Sequence, residues 1–454
     1  MTEQQHKQHT HSDDQDPERP QGPQLHLGVF FTGVGQELMW AHPEAAPHTA
    51  VETFVQTAQL LERGLFDAFF LGEGLRVREN RGRVHDLDVA GRPDAITQLA
   101  ALAGVTERIG LVATQNTTYN FPADLARRLA SLDAVSGGRA GWNIVTTDNA
   151  WTGANFRHGG WLEHERRYQR AGQFVDAASE LWAAGSGGTV ERATDLVRLR
   201  TAATLPPSPQ GRPVLFQAGD SDGGRELAAR HADVVFSANT EYEKAVAYAA
   251  DLRARLARHG RTPDSVRILP GASVVLADTP AEAEEKARWV QHERINGRRA
   301  IAFLEQYWGA DLSAYDPDGP LPDIEPVDGE LDPSRGTISL AQRTGKLQQI
   351  QKWRDLAAER GLSIRQLVIE VNPRHASFVG TPSQVADEWA RYVRTGAADG
   401  FNLLPYLLPA SLREVVDQLV PELQERGVYR TAYQGTTLRE HLALPPLGSP
   451  GIGR

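Results

Sequence analysis

Residues 136–147 read SGGRAGWNIVTT, and this stretch decides which class of fold the chain can form. Its first four residues include two glycines, which adopt the positive φ angles of a tight turn. The next six contain Trp142, Ile144 and Val145 and predict a short strand that ends in two threonines. A long amphipathic helix is predicted over 162–184. A strand with polar residues at its carboxyl end, followed by a helix, is the repeating unit of a parallel α/β protein.

The same alternation of strand and helix continues on both sides of this unit. Eight strands are predicted, at residues 25–32, 66–72, 109–114, 140–145, 214–218, 234–237, 266–276 and 400–404. Eight strands that are each followed by a helix favour a (β/α)8 TIM barrel with insertions over an open, doubly wound sheet. About 120 residues separate the last two strands, so the largest insertion is predicted at about 278–399, where it would cover the catalytic mouth as a lid.

The rest of the chain sets the expected domain bounds. Residues 1–24 contain few apolar side chains and predict a disordered tail, because such a segment cannot bury enough surface to offset its ordering entropy. A single domain is expected over 25–445, and 446–454 are expected to form a carboxyl-terminal tail. The chain's length of 454 residues would also allow two domains.

Composition excludes several classes of function. The net charge is −10 across 454 residues, which argues against non-specific binding to nucleic acid. The chain has no cysteine, which excludes disulfides, thiolate metal sites and cysteine nucleophiles. No HExxH, GxSxG, Walker or GxGxxG motif occurs in a fitting context, so no metal site and no serine nucleophile is expected. No apolar stretch approaches a membrane span and no signal core is present, so a cytoplasmic location is expected.

Residues 217–224, QAGDSDGG, join a predicted strand to a predicted helix. The backbone N–H groups at the start of that helix, together with the Ser221 hydroxyl, would suit a phosphate group. The alternative is that Ser221 or Asp222 only caps the helix. Asp220 counts against a phosphate, because a carboxylate beside it is unfavourable unless its side chain points away.

His164 and Tyr168 are four residues apart on the predicted long helix, so they share one face. A histidine beside a phenol could contact a phosphate or ribityl chain, or act as acid and base. The alternative is a partly buried aromatic pair on a packed face. The residues alone leave both interpretations open.

Several polar residues share a position at the carboxyl end of a predicted strand: Glu73, Asn143, Thr146 and the run 116–118. A barrel would bring all of these ends to one rim, where its chemistry takes place. Trp40 and His42 follow the first strand and would line the same mouth. A lone histidine in such a loop is also compatible with a structural role.

Taken together, these motifs resemble the bacterial-luciferase-like flavin monooxygenases. Within that family the chain is similar to the branch of nitrilotriacetate monooxygenase component A, dibenzothiophene-sulfone monooxygenase and long-chain alkane monooxygenase. The similarity covers most of 25–445. It is carried by SGGRAGWNIVTT, ERGLFDAFFLGEGL at 62–75, ANF at 154–156, EHERRY at 163–168, PPSPQGRPVLFQAG at 206–219, GAADGFNLLP at 396–405 and YQGTTLREHL at 433–442.

The resemblance implies a two-component enzyme. A separate NAD(P)H-dependent reductase would supply reduced FMN, and O2 would react with it to give a flavin peroxide that oxygenates a small organic substrate. A sulfur or nitrogen compound or a hydrocarbon is expected as substrate, and the protein is expected to be a homo-oligomer with no nucleic-acid or membrane partner. Two alternatives stay open: a deazaflavin-dependent oxidoreductase on the same barrel, and a non-catalytic flavin-binding relative.

The resemblance also assigns site residues by position. Those placed at the cofactor are Glu73, Thr114, Asn143, Thr146, His164, Tyr168 and Ser221. His42, on the substrate side, and Asn143, beside the flavin ring, are predicted to be catalytic. The sequence departs from the family pattern at Glu73, where Asp is usual, at Asp220, and in the segments 187–205 and 324–336. Because insertions form the substrate cover, the substrate itself cannot be inherited from a relative.

Overall fold

The computed structural model describes ten segments of the chain. They are residues 22–31, 38–39, 41–77, 79–80, 83–84, 90–146, 150–156, 164–327, 345–372 and 375–447. Most of the two expected tails, Trp40 and most of the segment 324–336 therefore lie outside the described residues. The fold is described below from the remaining residues.

The described residues form fifteen strands, and each of the eight stretches predicted as strands contains at least one of them. They are β1 His26–Phe31, β2 Ala68–Leu71, β3 Glu79–Asn80, β4 Arg83–Val84, β5 Gly110–Asn116, β6 Ala140–Val145, β7 Thr189–Ala193, β8 Arg198–Ala202, β9 Val214–Ala218, β10 Val234–Phe236, β11 Arg267–Ile268, β12 Gly271–Ala272, β13 Val274–Leu276, β14 Phe378–Gly380 and β15 Gly400–Leu403.

Nine of these strands form one curled parallel sheet in the order β11-β10-β9-β6-β5-β2-β1-β15-β12. The strands at its two ends, β11 and β12, are separated in the chain only by Leu269 and Pro270. The two edges of the sheet therefore belong to one short stretch of chain. The prediction of a parallel α/β fold is confirmed.

Helices follow most of the strands, and several of them pack on the outer face of the sheet. In the described residues they are α1 Val51–Arg63, α2 Ala95–Ala103, α3 Pro122–Val135, α4 Ala150–Gly153, α5 His164–Ala184, α6 Asp222–His231, α7 Tyr242–Arg258, α8 Pro280–Arg294, α9 Gly297–Trp308, α10 Lys346–Arg360, α11 Ile364–Val371, α12 Pro382–Thr395, α13 Ala410–Glu414, α14 Val420–Glu425 and α15 Leu438–His441. Large apolar residues such as Phe54 of α1 and Phe174 of α5 are fully buried against the sheet.

The interior of the curled sheet is filled with side chains from its inner face. Phe70, Val112 and Phe216 belong to this inner cluster. Leu438 of α15 and Leu442, just after that helix, join it from the amino end of the strands. Because that end is closed by packed side chains, the opening expected in such a sheet is at the carboxyl ends of the strands.

Three aspartates at the amino end of the sheet tie neighbouring strands together. Asp67, Asp233 and Asp399 each stand one residue before a strand of the sheet. Each accepts a hydrogen bond of 2.8 Å from a backbone N–H of a strand earlier in the chain. The donors are Leu27, Leu215 and Ile268 respectively. Arg430 and Arg439, from the carboxyl-terminal segment, pair with the first two aspartates. This end of the sheet is thus built for stability.

The stretch between β13 and β15 contains α8 to α12 and β14. Helices α9, α10 and α11 share an apolar core of their own around Leu304, Trp308 and Trp353. The strand predicted over 266–276 is wrong as one continuous strand, because β13 leaves the sheet and pairs with β14 instead. Proline has no N–H for the ladder, and Pro270 falls at the break.

Candidate functional site

The side chains at the carboxyl ends of three neighbouring strands form the floor of the opening. Thr114 of β5 lies beside Asn143 of β6, which lies beside Phe216 of β9. The Asn143 Nδ2 donates a 3.0 Å hydrogen bond to the Thr114 hydroxyl, and both residues are buried. The Asn143 Oδ1 is buried too, and it accepts no hydrogen bond from the described residues. A buried acceptor of this kind is normally satisfied by a partner, so a ligand N–H suits this position.

Glu73 follows β2 and meets the end of β5. Its Oε2 accepts hydrogen bonds from the backbone N–H of Asn116 at 3.2 Å and from the Asn116 Nδ2 at 2.9 Å. Burial raises the pKa of Glu73 to about 7, although the two hydrogen bonds from Asn116 act in the opposite direction. The structure therefore brings Glu73 next to Asn116, the first residue of the polar run that ends β5, and the sequence had predicted that these polar residues lie at one edge.

The turn before α6 brings Ser221 to Tyr168. The Ser221 hydroxyl accepts a 3.1 Å hydrogen bond from the Gly224 N–H, so it caps α6, and it donates at 3.1 Å to the Tyr168 hydroxyl. A Cβ at Gly223 would lie 3.2 Å from the Tyr168 ring, so the turn packs closely against this side chain. The helix N-terminus and two hydroxyl groups thus converge on one point. The capping interpretation holds, and it is compatible with an anion site.

Asp220 is held by a neighbouring loop through one oxygen, while its Oδ1 is buried and has no hydrogen-bond partner among the described residues. Its Oδ2 accepts a 2.8 Å hydrogen bond from the backbone N–H of Ala238, in the loop after β10. The carboxylate is therefore engaged with the neighbouring loop instead of with the cap at Ser221. The sequence could not show this contact, because Ala238 is 18 residues further along the chain.

Two arginines of α5 connect the loops around the opening. Arg167 is only 5% exposed, and its Nη1 donates to the Thr146 carbonyl at 3.4 Å. Arg170 donates to the Thr117 carbonyl at 2.8 Å and to the Leu196 carbonyl at 2.6 Å. Neither Arg167 nor Arg170 was predicted as a site residue, and their only signal is their position on the same helix as Tyr168.

The structure links two of the predicted site residues, His164 and His42, less clearly to the others. His164 begins α5, one turn before Tyr168, but its side chain lies outside the described part of the structure. His42 accepts a hydrogen bond from the Glu44 N–H at 3.2 Å, and its ring lies edge-on to Trp289 of α8 at 5.8 Å. Its recorded contacts do not join it to Asn143 or Glu73, so its catalytic role stays a prediction.

Sequence reasoning missed a second histidine in the loop after β1. His48 is buried against the Phe31 ring, with ring centroids 5.2 Å apart. Burial, helped by the charge of Arg92, lowers the pKa of His48 to about 4, so the imidazole is neutral at pH 7. Its ring nitrogens have no hydrogen-bond partner among the described residues. Its position six residues after His42 follows no periodicity that would have identified it.

Comparison with known proteins identifies the family. Residues 27–399 match the model of the luciferase-like monooxygenases. Nitrilotriacetate monooxygenase component A from Aminobacter aminovorans is 37% identical, over 93% of this chain and 96% of its own. The chain belongs to the luciferase-like monooxygenase family. The family resemblance stated from the motifs is thereby confirmed.

Two further relatives extend this result. Dibenzothiophene-sulfone monooxygenase from Rhodococcus erythropolis strain XP is 34% identical, over 93% of this chain and 97% of its own. Among solved structures, a riboflavin lyase determined with a modified FMN and its substrate riboflavin has a TM-score of 0.72 and 29% identity. That match covers 94% of this chain and 97% of the lyase chain.

Membership of the luciferase-like monooxygenases makes this chain an oxidoreductase, and the named relatives act on different small molecules. No helix in the described segments is long and apolar enough to cross a membrane. Within the same segments, no group of three or more His, Asp and Glu side chains is placed to hold a metal ion.

Proposed function

We propose that this chain uses reduced FMN and O2 to oxygenate a small organic substrate, and that a separate NAD(P)H-dependent reductase supplies the reduced FMN. The observation that carries the proposal is the convergence of Ser221, Tyr168 and the N-terminus of α6 on one point. A phosphate group fits that point, because backbone N–H groups and hydroxyl donors stabilise its charge. The solved riboflavin lyase, with its modified FMN, supports a flavin as the ligand.

The residues at the other part of the opening fit a flavin ring. The unpaired Oδ1 of Asn143 offers an acceptor for a ring N–H, and Thr146 stands at the end of the same strand. Phe30 and Phe236, at the ends of β1 and β10, pack with ring centroids 5.8 Å apart and give the opening an apolar wall. A flavin needs donors at its phosphate, polar partners at its ring and an apolar enclosure, and these residues provide each.

When bound, reduced FMN would supply the electrons that activate O2, so that one oxygen atom enters the substrate and the other leaves as water. The protein has other tasks. Ser221 and Tyr168 would hold the phosphate, Asn143 would fix the orientation of the ring, and the apolar wall would exclude water from the reacting atoms. None of these tasks needs a metal or a nucleophilic side chain.

The proposal includes the architecture expected from the sequence. Counted as one strand bent at Pro270, β11 and β12 reduce the nine strands of the sheet to eight. Such a sheet would be a closed (β/α)8 barrel within a single domain over 25–445. The stretch between β13 and β15 would then be the insertion between the seventh and eighth strands, positioned to cover the opening.

Replacing Ser221 with alanine is expected to weaken the binding of reduced FMN by about 1–2 kcal/mol, or roughly 5- to 30-fold in Kd. The variant loses a hydrogen bond to a charged group, together with the cap of α6 and the hydrogen bond to Tyr168. Anaerobic titration with reduced FMN measures the change. Reduced riboflavin, which has no phosphate, is the control and should bind both proteins alike. An unchanged affinity for reduced FMN would remove Ser221 from the phosphate site.

The activity itself is tested by adding 18O2 to the protein, the reductase, NADH and FMN in the presence of candidate substrates. We expect one labelled oxygen atom in the product, detected by mass spectrometry. Tight binding of reduced FMN, with hydrogen peroxide as the only product for every substrate class, would favour the non-catalytic alternative. Turnover with a reduced deazaflavin in the absence of O2 would favour the deazaflavin alternative.

A further inference from the structure

The Glu73 carboxyl group is held from one side only. Both hydrogen bonds that it accepts come from Asn116, and both reach the same oxygen, Oε2. The other oxygen, Oε1, accepts no hydrogen bond from the described residues. A carboxylate with a fixed charge normally collects donors on both oxygens or pairs with a cation. The Glu73 side chain is therefore fixed through Oε2, and Oε1 is left for a proton or a ligand.

The charges around Glu73 do not compensate an ionised carboxylate. Within the described residues, no Lys, Arg or His nitrogen lies within 4 Å of it. Asp94, the N-cap of α2, opposes its ionisation, and Arg128 of α3, which is bonded to Asp124 at 2.9 Å, favours it. Arg92, before α2, packs on Gly74, the residue after Glu73, where a Cβ would meet its Nη2 at 2.5 Å. It forms no ion pair with Glu73 itself.

The ligand expected at this opening is itself anionic. FMN carries a phosphate with close to two negative charges at pH 7. The reduced flavin ring is in addition a weak acid that loses a proton near neutral pH. An ionised carboxylate beside such a ring would be strongly unfavourable, and a neutral carboxyl group would remove the repulsion and could donate a hydrogen bond from its free oxygen.

We propose that Glu73 takes up a proton from solvent when anionic reduced flavin binds, so that the carboxyl group is neutral in the complex. The inference rests on the proposed function, and it adds a pH-dependent step to the binding of the cofactor. The proton comes from water and binds Glu73, and no bond in the ligand changes. The longer side chain of glutamate, compared with the aspartate expected from the resemblance, carries this group further from the strand.

The sign of the pH dependence follows from linkage. Burial raises the pKa of Glu73 to about 7 in the free protein, so the group is mostly ionised at pH 8 and mostly protonated at pH 6. If only the protonated form accepts the ligand, the affinity for reduced FMN falls by about tenfold per pH unit above that pKa. Below pH 6 the affinity should no longer depend on Glu73.

The test is a count of protons. Reduced FMN is added anaerobically to the weakly buffered protein at pH 8, and a pH indicator reports the uptake. Wild type should take up about one more proton per bound ligand than Glu73→Gln, whose amide cannot titrate. The subtraction cancels protons that belong to the flavin itself. Glu359→Gln, which removes an exposed carboxylate of α10, is the matched control and should give the wild-type count.

A second measurement is the Kd for reduced FMN between pH 6 and 9. Glu73→Asp keeps a carboxyl group that titrates, so its affinity should still fall as the pH rises. Glu73→Gln has no such group, so its affinity should lack this part of the pH dependence. Equal proton counts for wild type and Glu73→Gln, with both binding reduced FMN, would overturn the inference and leave the proposed function intact. Failure of every protein to bind reduced FMN would overturn both.

Discussion

Replacing Asp233 with alanine is expected to lower the free energy of unfolding by about 3–5 kcal/mol. This carboxylate is almost fully buried, and it accepts hydrogen bonds from Arg212 at 2.6 Å, from Arg439 at 3.0 Å and from the Leu215 N–H at 2.8 Å. Its removal would leave two largely buried guanidinium groups without their counter-charge. It would also release the carboxyl-terminal segment that closes the amino end of the sheet.

Urea unfolding at pH 7 measures this loss, and Asp399→Ala is the matched control. Asp399 also precedes a strand and also accepts a 2.8 Å hydrogen bond from the neighbouring strand, at Ile268. It has no ion pair with the described residues, so its replacement should cost only about 1 kcal/mol. Equal losses in the two variants would show that the arginine pairs of Asp233 add nothing to stability.

The same carboxylate has a defined pH window. Burial alone would raise the pKa of Asp233, but Arg212 and Arg439 hold it at about 2, below the ordinary 3.8. A carboxyl group whose pKa is lowered in the folded state stabilises the protein above its unfolded pKa. That stabilisation should therefore be fully present above pH 4 and be lost as the pH falls from about 4 to 2.

Much of the main sheet could be predicted because its signals are local. The buried run at 68–71 and the glycine turn before β6 each identify an element from a few adjacent residues. Pro270 was equally visible in the sequence, but its effect on the course of the strand was not. Whether β13 continues in the sheet or pairs with β14 depends on Phe378, about 100 residues away.

The hairpin of β7 and β8 illustrates another limit. The segment 187–205 was identified only as a departure from the family pattern, and the structure shows five cross-strand pairs between Thr189 and Ala202. Charged residues on both strands, such as Glu191 and Arg200, hide the apolar alternation on which strand prediction relies.

In the candidate site, too, the local features could be predicted and the contacts between distant residues could not. Ser221 and the glycines after it could be identified from the sequence, because a turn and a helix start are local features. Their meeting with Tyr168 joins residues 53 positions apart, and only the packing of α5 against α6 brings it about. The orientation of Asp220 and the burial of Arg167 and His48 depend likewise on distant loops.

Replacing Gly224 with alanine is expected to weaken the binding of reduced FMN by about 1–3 kcal/mol, roughly 5- to 160-fold in Kd. A Cβ at this position would lie 2.8 Å from the Gly219 carbonyl oxygen and 3.0 Å from its carbon. Both are backbone atoms of the turn, so the turn must open to admit the methyl group. The N–H groups and the Ser221 hydroxyl at the start of α6 would then lose their common direction.

Gly223→Ala is the matched control, because its Cβ would meet only the Tyr168 ring, at 3.2 Å, and a side chain can tilt away. We therefore expect a much smaller loss of affinity for Gly223→Ala than for Gly224→Ala, when thermal unfolding shows both variants to be folded. Reduced riboflavin should bind the two variants alike, because it has no phosphate to be held by the turn. If Gly224→Ala weakens reduced riboflavin as much as reduced FMN, the turn supports the ring instead, and the phosphate must bind elsewhere along the opening.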